Sequence, residues 1–545
     1  MSVTKEYVEQ VLDSIASRYR GPGGALAVLK DGELIGQRVW GFANLEQRIP
    51  LEAKTLLPIC STTKQFVCAL LIDLERNPPP KLADKTKGDV RKQISDKVLE
   101  IISPKLAHKG ELTIDRLVNM QSGLRDYWIM TTLWGAQPED EFLIHRDAAP
   151  AFEKQTKSFH FEPGTEFSYC NSNFYIVARA IEQTTGEPLG KLLQERIIRP
   201  AGMETAILCP NTAEQPPPCV GYEGDEKSGF IPVVNRIEWS GDAGLVASLT
   251  DMIAYEKYLD GCYSDPESWY HTAIKQPTFK DGTHAQYSYG LGHTDIEGVK
   301  SFGHGGALRG YRTHRCHVPT ERLSVIVLFN NEADAEHLAK EILRDVLGSP
   351  KPAADPSPIQ PSEEWFGTFL EEYTQLAIVV TKASQDGEVV INFDTEPSSI
   401  KLSGPKKGSN NEMVAAIDGD SLRIDRIDSV GDKILTAQRI VAKEPNRKGT
   451  DLPGVYYCDE IESTFHWIGE AGTFYGAFDG YLGKGHATPM RYLGADVWAL
   501  SCPRSLDAPA PGDWTVVLRR DVNSAVTGFT IGCWGARRIE FIKKT

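Results

Sequence analysis

The chain has 545 residues, too many for one hydrophobic core, so about two to four domains are expected. A net charge of −15 weighs against nucleic acid and anionic membrane surfaces as partners. Residues 1–12 read as an amphipathic helix without the apolar stretch of a signal peptide, and no long apolar run suggests a membrane span. A cytoplasmic location is expected. The ten cysteines show neither CxxC nor Cys/His metal spacing. Cys68 and Cys209 fall in apolar runs, where reduced, buried thiols are expected, and neither zinc nor another cofactor is implied.

Residues 23–30 and 33–41 read as two strands joined by Asp31-Gly32, a strong two-residue hairpin signal. The stretch Pro58-Ile59-Cys60-Ser61-Thr62-Thr63-Lys64-Gln65-Phe66 then opens a helix. Phe66, Val67, Leu70, Leu71 and Leu74 recur at helical spacing, and Asn77-Pro78-Pro79-Pro80 stops the run because proline lacks an N–H. Ser61 thus stands at a helix N-terminus, with Lys64 one turn on along the same face. A serine hydroxyl becomes a nucleophile when a base takes its proton, and a lysine whose pKa burial has lowered can be that base. Backbone N–H groups left free at the helix start can hold a developing oxyanion. Ser-x-x-Lys alone also describes an ordinary N-cap, and three further copies occur at Ser2/Lys5, Ser398/Lys401 and Ser403/Lys406.

Residues 77–111 are rich in Lys and Asp and read as a surface excursion, helical at most. Residues 112–124 hold a short helix ending in the turn Gln121-Ser122-Gly123-Leu124. A Pro163-Gly164 turn leads into Tyr169-x-Asn171, with a helix over residues 173–185. A phenol can relay protons, and an amide can hold a carbonyl. Residues 240–258 read as a Gly-rich turn, a strand and a helix with Thr250 as its N-cap. Gly303-His304-Gly305-Gly306-Ala307 follows between strand-like residues 287–293 and 323–329. Its glycines let a ligand or another backbone approach closely.

Residues 349–361 carry five prolines and read as an extended linker, which makes the first domain a separable folding unit. Beyond them, short alternating strands with polar turns indicate small antiparallel barrels. Trp365-Phe366-Gly367-Thr368-Phe369 is echoed by Leu452-Pro453-Gly454-Val455-Tyr456, which suggests two related modules. The domains expected are 1–348, the linker 349–361, and barrels at 362–449 and 450–545.

Ser-x-x-Lys, Tyr-x-Asn and His-Gly-Gly, in this order, resemble the serine β-lactamase and penicillin-recognising D-peptidase superfamily over residues 5–348. Within it, the D-aminopeptidase family is the more similar. Gly21-Pro22-Gly23-Gly24, Ser122-Gly123-Leu124-Arg125-Asp126-Tyr127-Trp128, Gly241-Asp242-Ala243-Gly244 and Gly303 to Gly310 add to the likeness. The resemblance implies an α+β multidomain protein: an αβα catalytic domain followed by two small antiparallel β-barrels. It implies an acyl-enzyme hydrolase that releases N-terminal D-residues, with a β-lactamase-like esterase or a non-catalytic binding protein as alternatives. Ser61 would be the nucleophile, Lys64 and Tyr169 would share base and acid work, and the Ser61 and Ala307 N–H groups would form the oxyanion hole. His304 would replace the lysine of a Lys-Thr-Gly motif, and Asn171, Gly305 and Gly306 would contact substrate. A mostly neutral imidazole favours substrates without a carboxylate there.

A loop from the last module is implied to reach the site. Residues 503–513 are its candidate, with Asp507 as the acid for the substrate amine and Asp479 as the competitor. The expected partners are a small-molecule or short-peptide substrate with a free N-terminus and a second copy of the chain in a homodimer. No nucleic acid, membrane, metal or cofactor is expected.

Overall fold

The computed structural model describes residues 4–83, 88–109, 111–154, 156–296, 298–348, 358–393, 397–426, 434–442, 451–502 and 504–544. Most of the proline-rich linker, residues 349–357, lies outside the described residues.

Antiparallel pairing frames the first domain. Eight strands run in the order Ile49–Pro50, Glu33–Asn44, Gly23–Lys30, Leu323–Phe329, Tyr311–Val318, Val299–Leu308, Leu291–Ile296 and Tyr287–Ser288. Asp31 and Gly32 take φ of 53° and 75°, the left-handed pair that a tight hairpin needs. The two central strands are buried along nearly their whole length because helices cover both faces. Lys5–Leu12 and Ala335–Leu347 cover one face through Val8, Leu12, Leu338 and Ile342. Thr63–Arg76, Asn171–Thr185 and Leu249–Ser264 contribute to the core on the other. This is the expected αβα arrangement.

Two local expectations are corrected. Part of residues 77–111 is no surface excursion: Val90–Ile101 is a helix capped by Asp89, and Val90, Ile94 and Val98 are buried in the main core. The four-residue spacing was present in the sequence, but the charges between these residues dominated its reading. The helix Leu249–Ser264 is capped by Ser248, whose side chain and that of Asp251 form a reciprocal capping box, so Thr250 lies inside the first turn.

Strands between Gly367 and Ile440 close into an eight-stranded barrel. Strands from Gly454–Cys458 to Ala536–Lys543 form a second ring, closed where Ser463–Glu470 pairs with Thr473–Gly480. Gly367 and Gly454, with φ of 141° and 151°, begin the first strand of each barrel, so the short sequence echo marks the same structural point twice.

The first domain and the barrels share buried structure. Tyr456, Phe465, Trp498, Trp514 and Phe541 belong to the same buried cluster as Phe66, Tyr127 and Trp134. Arg537 and Glu166, both fully buried, form an ion pair of 2.7 Å across the domain boundary. The other Glu166 oxygen accepts a hydrogen bond of 2.6 Å from the Tyr373 hydroxyl of the first barrel. One carboxylate therefore ties all three domains together. The expected separable first domain is corrected accordingly: cutting it free would expose apolar surface and strand a buried charge.

Candidate active site

The chain enters the site along Leu57–Pro58, which pairs with Leu245–Ala247. It then makes one tight turn, Cys60–Thr62, that runs into the helix Thr63–Arg76. Cys60 has φ of 49°, a strained value for a residue with a Cβ, and it immediately precedes Ser61. Ser61 lines a cavity of about 1060 Å³ with Tyr169, Asn171, His304 and Ala307. The structure therefore gathers the three sequence patterns at one place.

Lys64 is buried beneath this cavity. Its Nζ lies 2.9 Å from Ser61 Oγ, 2.8 Å from Asn171 Oδ1 and 2.6 Å from the Asp242 carbonyl oxygen. The last two atoms can only accept. A neutral amine would spend its two N–H bonds on them and turn its lone pair to the Ser61 hydroxyl. Burial pushes Lys64 down to about 8, while Asp242 and Asp126 oppose the shift. The Tyr169 ring packs 4.9 Å from Nζ, and its phenol lines the cavity beside Ser61. Burial, reinforced by Asp126 and Asp242, pushes the Tyr169 phenol well up, so it remains protonated at neutral pH.

The Lys64 pKa gives a direct expectation. Below about 8 the amine carries its proton and cannot accept another, so kcat/KM should rise with pH through that value. A pH profile of D-alanine p-nitroanilide hydrolysis checks this. A flat profile from about pH 6 to 9 would exclude Lys64 as the base.

Asn171 begins the helix Asn171–Thr185, and its amide is engaged on both sides. Nδ2 donates to Asp126 Oδ2 at 2.8 Å, while Oδ1 accepts from Lys64. It orients the lysine as well as lining the cavity. Asp126 in turn caps the helix Tyr127–Leu133. The Asp242 side chain accepts from the Tyr127 hydroxyl at 2.8 Å and from Trp128 Nε1 at 3.0 Å. Both acids escaped residue-by-residue reading. Their only sequence signal was membership of the Arg125-Asp126 and Gly241-Asp242 stretches.

His304 is 8% exposed and lines the cavity. Its Nδ1 faces the Gly305 carbonyl oxygen, which only accepts, so Nδ1 carries the proton and Nε2 accepts from the Tyr287 hydroxyl at 2.9 Å. Burial, and then the neighbouring Lys64, push the imidazole down to about 3, so it is neutral. Leu291–Ile296 pairs with the adjoining strand only as far as Gly303, so among the described residues no strand pairs with residues 304–308 on that edge. A Cβ on Gly306 would come within 2.5 Å of the Ile59 carbonyl oxygen, which is why glycine is needed where the strand passes the nucleophile turn. Ala307 follows on the cavity wall.

The strands Val497–Leu500 and Trp514–Arg520 pair, and the loop between them places Ala508 and Pro509 in the cavity lining near Trp128 and Trp239. Asp507 is 3% exposed and is not part of that lining. Its carboxylate accepts the Arg236 N–H at 2.6 Å and stands 3.8 Å from Arg309, although burial holds it above the usual carboxylate range. The expected contact of Asp507 with a substrate amine is therefore corrected to an anchor for the loop. Asp479 is also absent from the lining, and lies 3.8 Å from Lys484.

Around the anchor, Arg504 pairs with Glu139 and, at 3.0 Å, with Glu223. Arg309 meets the same two acids, and Arg236 meets Glu139 at 2.8 Å. Asp507→Ala should lower kcat/KM about tenfold or more for free-amine and N-blocked substrates alike, because a charge-assisted hydrogen bond that holds the loop is lost. Asp507→Asn, which can still accept the Arg236 N–H, should keep most of the activity. A loss confined to free-amine substrates would instead place the carboxylate on the substrate.

The first barrel also lines the cavity, through Glu388, Ser399, Lys401 and residues 409–412. Nothing in the sequence pointed to this wall.

A β-lactamase family model matches residues 5–348, and a model for D-aminopeptidase, domain B, matches residues 358–542. The D-aminopeptidase of Brucella anthropi is 41% identical over 536 residues, covering 98% of each chain. That of Brucella melitensis biotype 2 is 40% identical over 534 residues, again covering 98% of each. In fold, the octameric penicillin-binding protein homologue from Pyrococcus abyssi aligns with a TM-score of 0.52 at 20% identity, over 80% of this chain and all of that one. SurE aligns with a TM-score of 0.51 at 18% identity, over 80% of this chain and 99% of its own. The chain belongs to the β-lactamase family and, over nearly its full length, to the D-aminopeptidase family.

Proposed function

We propose that this chain is a serine aminopeptidase that releases N-terminal D-amino acids, such as D-alanine, from peptides, amides or esters through an acyl-enzyme. The observation that carries the chemistry is the 2.9 Å contact between Ser61 and a buried lysine whose pKa lies near 8. Ser61 Oγ attacks the scissile carbonyl while Lys64 takes its proton. The N–H groups of Ser61 and Ala307 hold the oxyanion. Tyr169 and Lys64 pass a proton to the departing amine or alkoxide. Water then attacks the ester, and the same groups return the proton to Ser61. Preference for the D-residue rests on family membership.

His304 sharpens the choice on the leaving side. A neutral imidazole, with both nitrogens already engaged, offers no fixed cation to a carboxylate beside the scissile bond. Amides and esters fit better than penicillins. Among the described residues no helix is long and apolar enough to cross a membrane.

The test is a rate comparison of D- and L-alanine p-nitroanilide, with nitrocefin and p-nitrophenyl butyrate alongside. The D-anilide should be turned over at least about a hundredfold faster than the others, a difference of roughly 2.7 kcal/mol in barrier. Butyrate ester hydrolysis without anilide hydrolysis would favour the esterase reading.

A further inference from the structure

The cavity that begins at Ser61 is larger than a single released residue needs. Its volume of about 1060 Å³ lies just above the range of about 300–1,000 Å³ that small-ligand sites occupy. From Ser61 it passes Ala307 and Arg312, and its walls then come from the Ala335–Leu347 helix and from the first barrel. His337, Lys340 and Arg344, three and four residues apart, share the helix face that lines it. On the barrel, Lys401 stands opposite Glu388 on one neighbouring strand and Ser409 on the other, so the three form a row on one face.

The charges along this cleft sort into two kinds. Its acids all have partners. Glu332 pairs with Arg312 at 3.3 Å, and Glu336 with Lys340 at 2.5 Å. Asp334 caps the helix by accepting the His337 N–H at 2.8 Å. Glu412 accepts from the Ser398 hydroxyl at 3.1 Å, and Glu388 from that of Ser399. Arg344 and Lys401 line the same cleft, and among the described residues neither has a carboxylate within ion-pair distance. Arg344 lies ten residues beyond Asp334, about 15 Å along a helix rising 1.5 Å per residue. An extended peptide covers that distance in about four or five residues.

We propose that this cleft is the subsite for the leaving side of the substrate, taking an extended peptide whose C-terminal carboxylate reaches Arg344 and Lys401. The inference rests on the reading that Ser61 cleaves after an N-terminal residue. It assigns the first barrel a role in substrate choice. A dipeptide would bring its carboxylate beside His304, where no fixed cation waits. A longer peptide brings it to two unpaired cations.

The test uses the full chain and D-alanine followed by one to five glycines, each peptide made as the free acid and as the C-terminal amide. D-Alanine amide is the reference. For the acids, kcat/KM should climb with length and exceed the amide-capped peptides by about tenfold at four or five glycines, the effect of one charge-assisted contact. The double variant Arg344→Ala/Lys401→Ala should bring that acid-to-amide ratio back to near one. A ratio that is the same in wild type and variant overturns the inference. So does turnover of D-alanine amide with a flat length series, which leaves the reading of the site standing. Failure of the wild-type chain to cleave any of the series, D-alanine amide included, overturns both.

Discussion

Ser61→Ala is expected to abolish turnover and, with it, covalent labelling by a fluorophosphonate. The hydroxyl it removes is the one that Lys64 contacts, on the cavity wall it shares with Tyr169. Groups that act as one unit lose nearly everything when any member is removed. Lys64→Ala and Tyr169→Phe should therefore each lower kcat by about 10⁴-fold, and the double variant should be little worse. Losses that multiply would show that lysine and tyrosine act independently. Labelling that survives in Ser61→Ala would place the nucleophile elsewhere. Mass spectrometry of the labelled chain and steady-state rates on D-alanine p-nitroanilide decide between these outcomes.

The second large effect is expected at a distance from the chemistry. Arg537→Ala should destabilise the protein by about 3–5 kcal/mol, because it leaves the Glu166 carboxylate buried without its cation. The change in denaturation midpoint measures this. Arg537→Met combined with Glu166→Gln, which removes both charges while keeping side-chain volume, should recover much of the loss. If the single and double variants are equally destabilised, packing rather than charge governs the junction. Activity should fall with stability in Arg537→Ala, since Glu166 lies three residues before Tyr169. A chain ending at residue 348 should fail to give a folded, active domain. It would lose the barrel aromatics from the shared core and leave Glu166 without Arg537 and Tyr373.

The centre of the site was legible in the sequence because its signals are local. The helix after Ser61 fixes the relation of Ser61 to Lys64 within one turn, and the apolar spacing of that helix is strong. Taken residue by residue, Tyr169-x-Asn171 and Gly303 to Ala307 are isolated patterns, and only the family resemblance joins them to Ser61. Their meeting depends on strands Gly23–Lys30 and Leu323–Phe329, which lie at opposite ends of the first domain and pair at its centre. Periodicity reports what an element is, but not which element it will meet. For that reason Asp126 and Asp242, which tune Lys64 from two other segments, could not be picked out by residue type. The first-barrel wall went unseen for the same reason. Asp507 precedes Ala508 and Pro509, which line the cavity, but nothing local shows that Arg236 and Arg309 stand behind its carboxylate.

The charged clasp that holds this loop behaves differently from the floor of the site. Glu139 is 58% exposed and Arg236 41%, so mobile ions reach the outer half of the clasp. At about 0.15 M ionic strength, exposed charges feel each other over only about 8 Å. Lys64 and its partners sit beneath the surface and are shielded from such screening. Salt therefore acts on one wall of the cavity and leaves the proton-transfer machinery alone. The fit of a substrate should then vary with the ionic medium, while the chemistry performed on it stays the same.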